Sequence, residues 1–273
     1  MEFSGANKIS LVLSDVDGTL INENKTLTAK TKAAIQKLRD AGISFTVTSA
    51  RPPFGLKAIA ETLELQYPIG SFNGGVIFTP DGEIVNSISL DQKIIPEIIA
   101  EAENHGLDAW LYSDRHWYIK NRHGFHVDHH QETLQFEPTV IDRYEDVKDD
   151  IFKIIAVGSD YDAVFRCETA IQEKFENSLA ATRSQPYNLD ITHPQANKGE
   201  AVKQIARQLN IPTAEVLTIG DNFNDISMFA SSGTSIAMGN ADAEVQKQAN
   251  YVTDSNQEEG FAKAIDRFVL KQT

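Results

Sequence analysis

The sequence predicts an α/β protein: a Rossmann-like parallel-sheet core with an inserted α+β domain. Two observations carry the core. Short apolar runs that read as buried strands alternate with amphipathic helical stretches at both ends of the chain, and acidic residues stand where several of those runs stop. A third observation carries the insertion. From about residue 88 to about 190 the alternation gives way to strand pairs and longer helices. The expected division is 1–87 for the first part of the core, 88–190 for the insertion and 191–273 for the second part.

In the first part, "ISLVLS" (9–14) reads as a short buried strand. Residues 28–41 place Ala33, Ala34, Ile35 and Leu38 at helical spacing, with Thr28 in the N-cap position and Gly42 as the stop. "ISFTVTS" (43–49) is the next strand, "PPFGLKAIAETLEL" (52–65) a helix and "YPIGSF" (67–72) a third strand. "GGVIFTPDGEIVNSISL" (74–90) reads as a hairpin turning at Pro80-Asp81-Gly82. In the last part, 197–210 is an amphipathic helix, "AEVLTIG" (214–220) a strand, "DISMFASS" (225–232) a short helix and "GTSIAMG" (233–239) a strand. In the insertion, 93–106 and 160–176 read as helices. The strands there are 108–114 paired with 116–121 around Asp114-Arg115, then 151–158, 179–184 and 187–193.

The 273 residues, 41% hydrophobic, suffice for a substantial core. A net charge of −14 argues against nucleic acid and anionic membranes as partners, while permitting a small anion in a local site. The single cysteine, Cys167, excludes an internal disulfide and falls in a helix, where a packed, inert thiol is expected. "MEFSGANKIS" has no basic segment followed by a long apolar stretch, and the longest apolar runs fall far short of a membrane span. A cytoplasmic protein is the expectation, as a monomer or a homodimer.

The chemistry-bearing residues lie at strand ends. Asp15 and Asp17, in "LSDVDGTL" (13–20), follow the first strand, and Gly18 permits a tight turn. Such a pair also occurs as a helix cap or in a solvated loop. In a parallel α/β sheet, however, ligands bind at the carboxyl ends of the strands. The second strand ends in "VTSAR", which offers Thr48, Ser49 and Arg51. "IGDNFND" follows another strand and offers Asp221, Asn224 and Asp225. Lys198 opens a helix in "ANKGEAV", where a cation is electrostatically disfavoured and needs a reason such as a bound anion. Several loop carboxylates suit a hard cation such as Mg2+. A Ser hydroxyl, a Lys and an Asn amide suit a phosphoryl group, and a carboxylate can act as a nucleophile. Together the set reads as phosphoryl transfer.

"DVDGTL", "TSAR", "NKGEAV" and "GDNFND", in this order, resemble motifs one to four of the haloacid dehalogenase-like hydrolase superfamily. The long insertion and the "FNGG" at 72–75 resemble its Cof-type phosphatase branch with a type IIB cap. The resemblance spans nearly the whole chain. It implies a Mg2+-dependent phosphatase acting on a small phosphorylated metabolite, a sugar phosphate above others, through an aspartyl-phosphate. Asp15 would be nucleophile and metal ligand. Asp17 would serve as general acid and base, with its backbone carbonyl on the metal. Ser49 and Lys198 would hold phosphoryl oxygens, and Asn224 would touch the phosphate. Asp221 would complete the metal site, and Asp225 would bind metal waters or orient Lys198. Arg51 and Asn73 would face the substrate. Motif two reads Ser49-Ala50-Arg51 where the branch commonly has Thr-Gly-Arg, which keeps the hydroxyl.

The same residues leave other readings open. A phosphohexomutase shares this type of cap, a phospho-receiver domain also uses a phosphorylated Asp with Ser/Thr and Lys, and a non-catalytic phosphate-binding module is a further option. "HWYIKNRHGFHVDHH" (116–130) holds His116, His123, His126, His129 and His130 beside Asp128. Its irregular spacing fits a polar surface better than a metal site. Trp110 and Trp117 are expected in the core of the insertion.

Overall fold

The computed structural model describes residues 8–270. The opening segment read for a leader lies outside the described residues up to Asn7. In chain order the elements begin with β1 (Leu11–Ser14), α1 (Ala29–Asp40), β2 (Ser44–Val47) and α2 (Lys57–Thr62). β3 (Ile69–Ser71), β4 (Val76–Phe78) and β5 (Ile84–Ser87) follow. Then come α3 (Ile95–Asn104), β6 (Asp108–Tyr112), β7 (Trp117–Ile119), α4 (Val127–Leu134), β8 (Thr139–Val140) and β9 (Lys153–Val157). α5 (Tyr161–Phe175), β10 (Ala180–Gln185) and β11 (Asn188–Thr192) complete that stretch. The chain ends with α6 (Lys198–Gln208), β12 (Val216–Gly220), α7 (Ile226–Phe229), β13 (Thr234–Ala237), α8 (Ala243–Gln246), β14 (Tyr251–Val252) and α9 (Gly260–Ala264).

Two compact units emerge. One comprises 1–50, 57–86 and 197–273; the other comprises 51–56 and 87–196. The expected boundary at 190 falls inside β11, whose pairing with β9 runs from Asn188 to Thr192 and carries the inserted unit on to residue 196. Residues 51–56 also group with the inserted unit, where Phe54 stacks on Phe136 with ring centroids 3.9 Å apart.

The core unit is built on a parallel five-stranded sheet, β14-β13-β12-β1-β2. The chain moves outward from β1 to β2 on one side and from β12 to β14 on the other. The order therefore reverses between β1 and β12, the place where such sheets open a crevice at their carboxyl ends. Leu11, Leu13 and Ile219 are fully buried, as strands covered on both faces require. α1 is capped as expected: Thr28 Oγ1 accepts from the Thr31 amide at 3.1 Å and donates to Glu259 Oε2 at 2.6 Å. Gly42 follows the helix with φ +72°.

Two core expectations need correction. "YPIGSF" does not extend the parallel sheet. Its three paired residues form a small antiparallel sheet with β4 and β5, and a single parallel bridge, Thr48 to Gly70, ties it to the main sheet. Phe72 and Asn73 adopt positive φ and turn the chain at once, which ends any longer pairing. The helix expected over 52–65 is a 3-10 turn at Pro53–Gly55 followed by α2, because adjacent prolines remove two amide donors. The hairpin turns at Gly82, with φ +90°.

The inserted unit holds a six-stranded sheet, β10-β11-β9-β6-β7-β8, antiparallel except between β7 and β8. Side chains alternate across it. Leu111, Ile154, Ala156, Leu189 and Ile191 share one core cluster with Ile98, Ile99, Val164, Cys167 and Ile171 of α3 and α5. The register places Trp110, Tyr112, Lys153, Asn188 and Asp190 on the opposite face. Trp110 and Trp117 are core residues, as expected. Cys167 is fully buried, which pushes its thiol up to about 12, with Glu101 adding to the effect. No helix of the described residues is long and apolar enough to cross a membrane.

Thr28→Ala removes the α1 cap and its link to Glu259. Urea denaturation of this variant is expected to show a loss of about 1–2 kcal/mol, the range for exchanging a Thr cap for Ala.

Candidate active site

The site forms within the core unit, where β1 and β12 end side by side. Their register pairs Ser14 with Ile219, so Asp15 and Asp221 leave the sheet from adjacent strands. Gly18 turns the chain with φ +84°, and a Cβ there would lie 2.2 Å from Asp221 Oδ2. Gly220 makes a similar opening: a Cβ at that position would lie 2.4 Å from the Asp225 carboxyl carbon. Both glycines let a carboxylate approach the backbone where any side chain would displace it.

Lys198 is the first residue of α6 and is 1% exposed. Its Nζ donates to Oδ1 of Asp15 and, at 2.5 Å, to Oδ1 of Asp225. These two carboxylates explain a cation at a helix N-terminus. Asn197 caps the helix by accepting from the Glu200 amide at 3.0 Å. Asp225 is fully committed: its Oδ2 accepts the amides of Asp221 at 2.8 Å and Asn222 at 2.9 Å. Its geometry is that of a group orienting Lys198.

Asp15, Asp221 and Asp225 each bring an oxygen within 4.8 Å of the others. Burial raises the Asp15 carboxyl well above the usual carboxylate range; Lys198 opposes this, and Asp225 and Asp221 add to it. Burial raises Asp221 to about 6, opposed by its bond from Thr19. Lys198 loses solvation by burial, yet Asp15 and Asp225 outweigh that loss and push it above the ordinary lysine range. With all three carboxylates ionised, one lysine leaves an excess of negative charge, which is what the raised carboxyls report. This oxygen-only donor set fits a hard divalent cation.

The remaining expected residues are distributed as follows. Asp17 is half-buried, and its Oδ1 accepts from Lys25 Nζ at 2.8 Å. Ser49 is 2% exposed; its amide donates to the Gly70 carbonyl and its carbonyl accepts from the Asn73 amide at 2.8 Å. Asn224 Nδ2 donates to Asn73 Oδ1 at 3.0 Å, so "FNGG" and "GDNFND" meet. Arg51 belongs to the 51–56 segment, where its guanidinium donates to the Gly55 carbonyl at 3.2 Å.

Sequence reasoning missed two residues that hold Asp221. Thr19 Oγ1 donates to its Oδ1 at 2.7 Å. Asn240 Nδ2 donates to the Gly18 carbonyl at 2.9 Å and reaches Asp221 Oδ2 at 3.5 Å. Thr19 sits inside the "DVDGTL" motif and could have been read from it, whereas Asn240 lies in a loop with no such signal. The histidines do not form one cluster: His126 and His129 lie with ring centroids 5.6 Å apart, while others turn to separate partners. His116 pairs with Asp149 at 2.8 Å and His130 with Tyr112 at 2.7 Å. Among the described residues, the one group arranged to share a metal ion is the aspartate cluster.

With this geometry established, comparison with known proteins fixes the class. The family profile of the haloacid dehalogenase-like hydrolases matches residues 12–265, and the chain belongs to that family. It is similar to the Bacillus subtilis 5-amino-6-(5-phospho-D-ribitylamino)uracil phosphatase YwtE, 28% identical over 282 residues that cover 94% of this chain and 97% of the relative. A solved haloacid dehalogenase-like hydrolase from Bacteroides thetaiotaomicron superposes with a TM-score of 0.88 at 27% identity, covering 95% of this chain and 99% of that one. The subclass IIB sugar phosphatase BT4131 shares the fold, with a TM-score of 0.81 at 21% identity over 95% of this chain and 98% of that one.

Gly18→Ala is expected to push Asp221 out of place and to lower hydrolytic turnover by about a hundredfold or more, as loss of preorganised electrostatics does. Gly82→Ala also replaces a positive-φ glycine, but into open space. It is expected to keep turnover while losing about 1 kcal/mol of stability. Steady-state rates and melting curves of the two variants make the comparison.

Proposed function

We propose that this protein is a Mg2+-dependent phosphatase that hydrolyses a small phosphorylated metabolite, a sugar phosphate by preference, through an aspartyl-phosphate on Asp15. The cluster of buried Asp15, Lys198 and Asp225 with half-buried Asp221 carries the reading. The family supports phosphomonoester hydrolysis. YwtE, whose named substrate joins a phosphate to a ribityl chain, supports a small polyhydroxylated metabolite.

In the first step Asp15 attacks phosphorus, and the bond to the leaving-group oxygen breaks. Asp17 supplies the proton that the departing alkoxide takes up. Lys198, held by Asp225, and Ser49 bind phosphoryl oxygens, and Asn224, fixed by Asn73, adds an amide. In the second step Asp17 takes a proton from water, which attacks phosphorus and releases Asp15. A divalent cation held by Asp15, Asp221 and the Asp17 carbonyl would offset repulsion between the carboxylates and the phosphoryl oxygens. Asp17 must leave Lys25 to do this work, and Lys25 is well exposed, with 59% of its side chain accessible, so the exchange costs little.

Asp15→Asn is expected to abolish phosphate release, because an amide is a poor nucleophile and a weaker ligand. Asp17→Asn is expected to slow turnover by about two to four orders of magnitude, the usual worth of a general acid–base group. It should also accumulate acid-stable phosphate on the chain when the leaving group is good. Near wild-type turnover in Asp15→Asn would end the covalent reading. Removing divalent ions with a chelator should stop turnover, and Mg2+ should restore it; turnover that survives chelation would remove the metal from the proposal. Release of free phosphate from sugar phosphates, against interconversion of their isomers, separates a phosphatase from a mutase.

A further inference from the structure

Within the core unit, the segment after β14 crosses the carboxyl ends of the sheet as a strap. The Thr253 amide donates to the Ala237 carbonyl at the end of β13, at 3.0 Å, and the Asp254 carbonyl accepts from the Gly239 amide at 3.0 Å. The Asn256 amide donates to Asn240 Oδ1 at 2.9 Å, and Asn256 Nδ2 donates to the Ile21 carbonyl at 3.0 Å. Glu259 Oε2 accepts from Thr28 Oγ1 at the start of α1. In the sheet order β13 and β12 separate β14 from β1, a span of roughly 14 Å, which the strap covers to reach the turn after β1. Its path is tightly wound. The Gly260 amide donates to the Ser255 carbonyl at 2.9 Å, and a Cβ on Gly260 would collide with the Asp254 carbonyl oxygen.

The strap and the loop after β13 grip both ends of the turn beside Asp17. Asn240 Nδ2 holds the Gly18 carbonyl, and Asn256 Nδ2 holds the Ile21 carbonyl. The Leu20 and Ile21 amides both return to the Val16 carbonyl. Asp17 and Ile21 share a backbone bridge, so a shift of Ile21 passes to Asp17. The Asp17 carboxylate has to swing from Lys25 to the substrate oxygen. A side chain that moves to deliver a proton needs a backbone that stays fixed. We propose that Asn256 is a positioning residue for Asp17: its side-chain amide pins Ile21 and fixes the backbone from which Asp17 delivers its proton. The inference rests on the phosphatase reading and adds a residue to its proton-transfer machinery. Asn240 differs, because its amide also reaches Asp221 and so acts on the carboxylate cluster as well.

The leaving group provides the test. A sugar alkoxide needs a proton as it departs, whereas p-nitrophenolate departs without one. For either compound kcat/KM reports the step that phosphorylates Asp15. The ratio of kcat/KM for glucose 6-phosphate to that for p-nitrophenyl phosphate therefore reads proton delivery by Asp17. Asn256→Ala removes the side-chain amide and leaves the backbone bond to Asn240 in place. Asn256→Asp keeps the size and sets a carboxylate oxygen against the Ile21 carbonyl. Thr28→Ala cuts the strap's attachment through Glu259 and does not touch the turn at 18–21. The three variants and the wild type would be compared by kcat/KM on both compounds and by melting curves.

The expected result is a ratio about tenfold lower in Asn256→Ala, part of the full worth of a general acid, and lower again in Asn256→Asp. In Thr28→Ala the ratio should stay within about twofold of wild type although the melting temperature falls. Asp17 also activates water in the second step. More acid-stable phosphate should therefore be trapped on Asn256→Ala than on wild type during turnover of p-nitrophenyl phosphate. An unchanged ratio in a folded Asn256→Ala would overturn the inference, and so would an equal fall in Thr28→Ala, which would make the strap a structural brace alone. If Asn256→Ala does not fold, the isosteric Asn256→Asp carries the same test. A wild type that releases phosphate from neither compound would overturn the phosphatase reading itself, whereas an unchanged ratio in an active enzyme overturns only the role of Asn256.

Discussion

The pairing of Lys198 with Asp15 and Asp225 is the interaction on which the rest of the site depends. Burying Asp15 and Asp225 beside half-buried Asp221 is unfavourable, because each loses water and each repels the others. Lys198 offsets part of that cost at the meeting point of β1, β12 and α6. It does not offset all of it, and burial raises both Asp15 and Asp221. A cluster left with surplus negative charge has an electrostatic reason to take a cation. With that cation it has a reason to take an anion as well. On the proposed reading, a cation and a phosphoryl group would each offset part of the cost of holding these carboxylates together.

Keeping such a cluster intact requires rigid support, and the fold supplies it from the backbone outward. Asp225 is held by two amides of its own loop. Asp221 is held from both sides by Thr19 and Asn240. Gly18 and Gly220 give the carboxylates room. Each support lies at or within a few residues of the carboxyl end of β1, β12 or β13, where backbone position is set by sheet hydrogen bonds. The small antiparallel sheet of β3, β4 and β5 has a related use. It presents Asn73 to Asn224 and fixes the segment after Ser49 through backbone bonds.

The elements with strong local signals were legible in the sequence. The α1 cap at Thr28, the Lys198 helix and the strands of the insertion all carry clean periodicity or clear boundary residues. β8, β14 and α8 were not read, because two- to four-residue elements have too few positions to show a period. α4 was hidden by its histidines, which obscure the apolar face carried by Val127 and Leu134. At the site, the clustered acids and the out-of-place lysine were readable because their chemistry is costly without a purpose. Asn240 was not, since a loop asparagine has many uses and its partner Gly18 is more than two hundred residues away. Arg51 reads with the core residues because it stands two positions after Ser49. Proximity in sequence does not fix which unit a residue joins at a chain crossing.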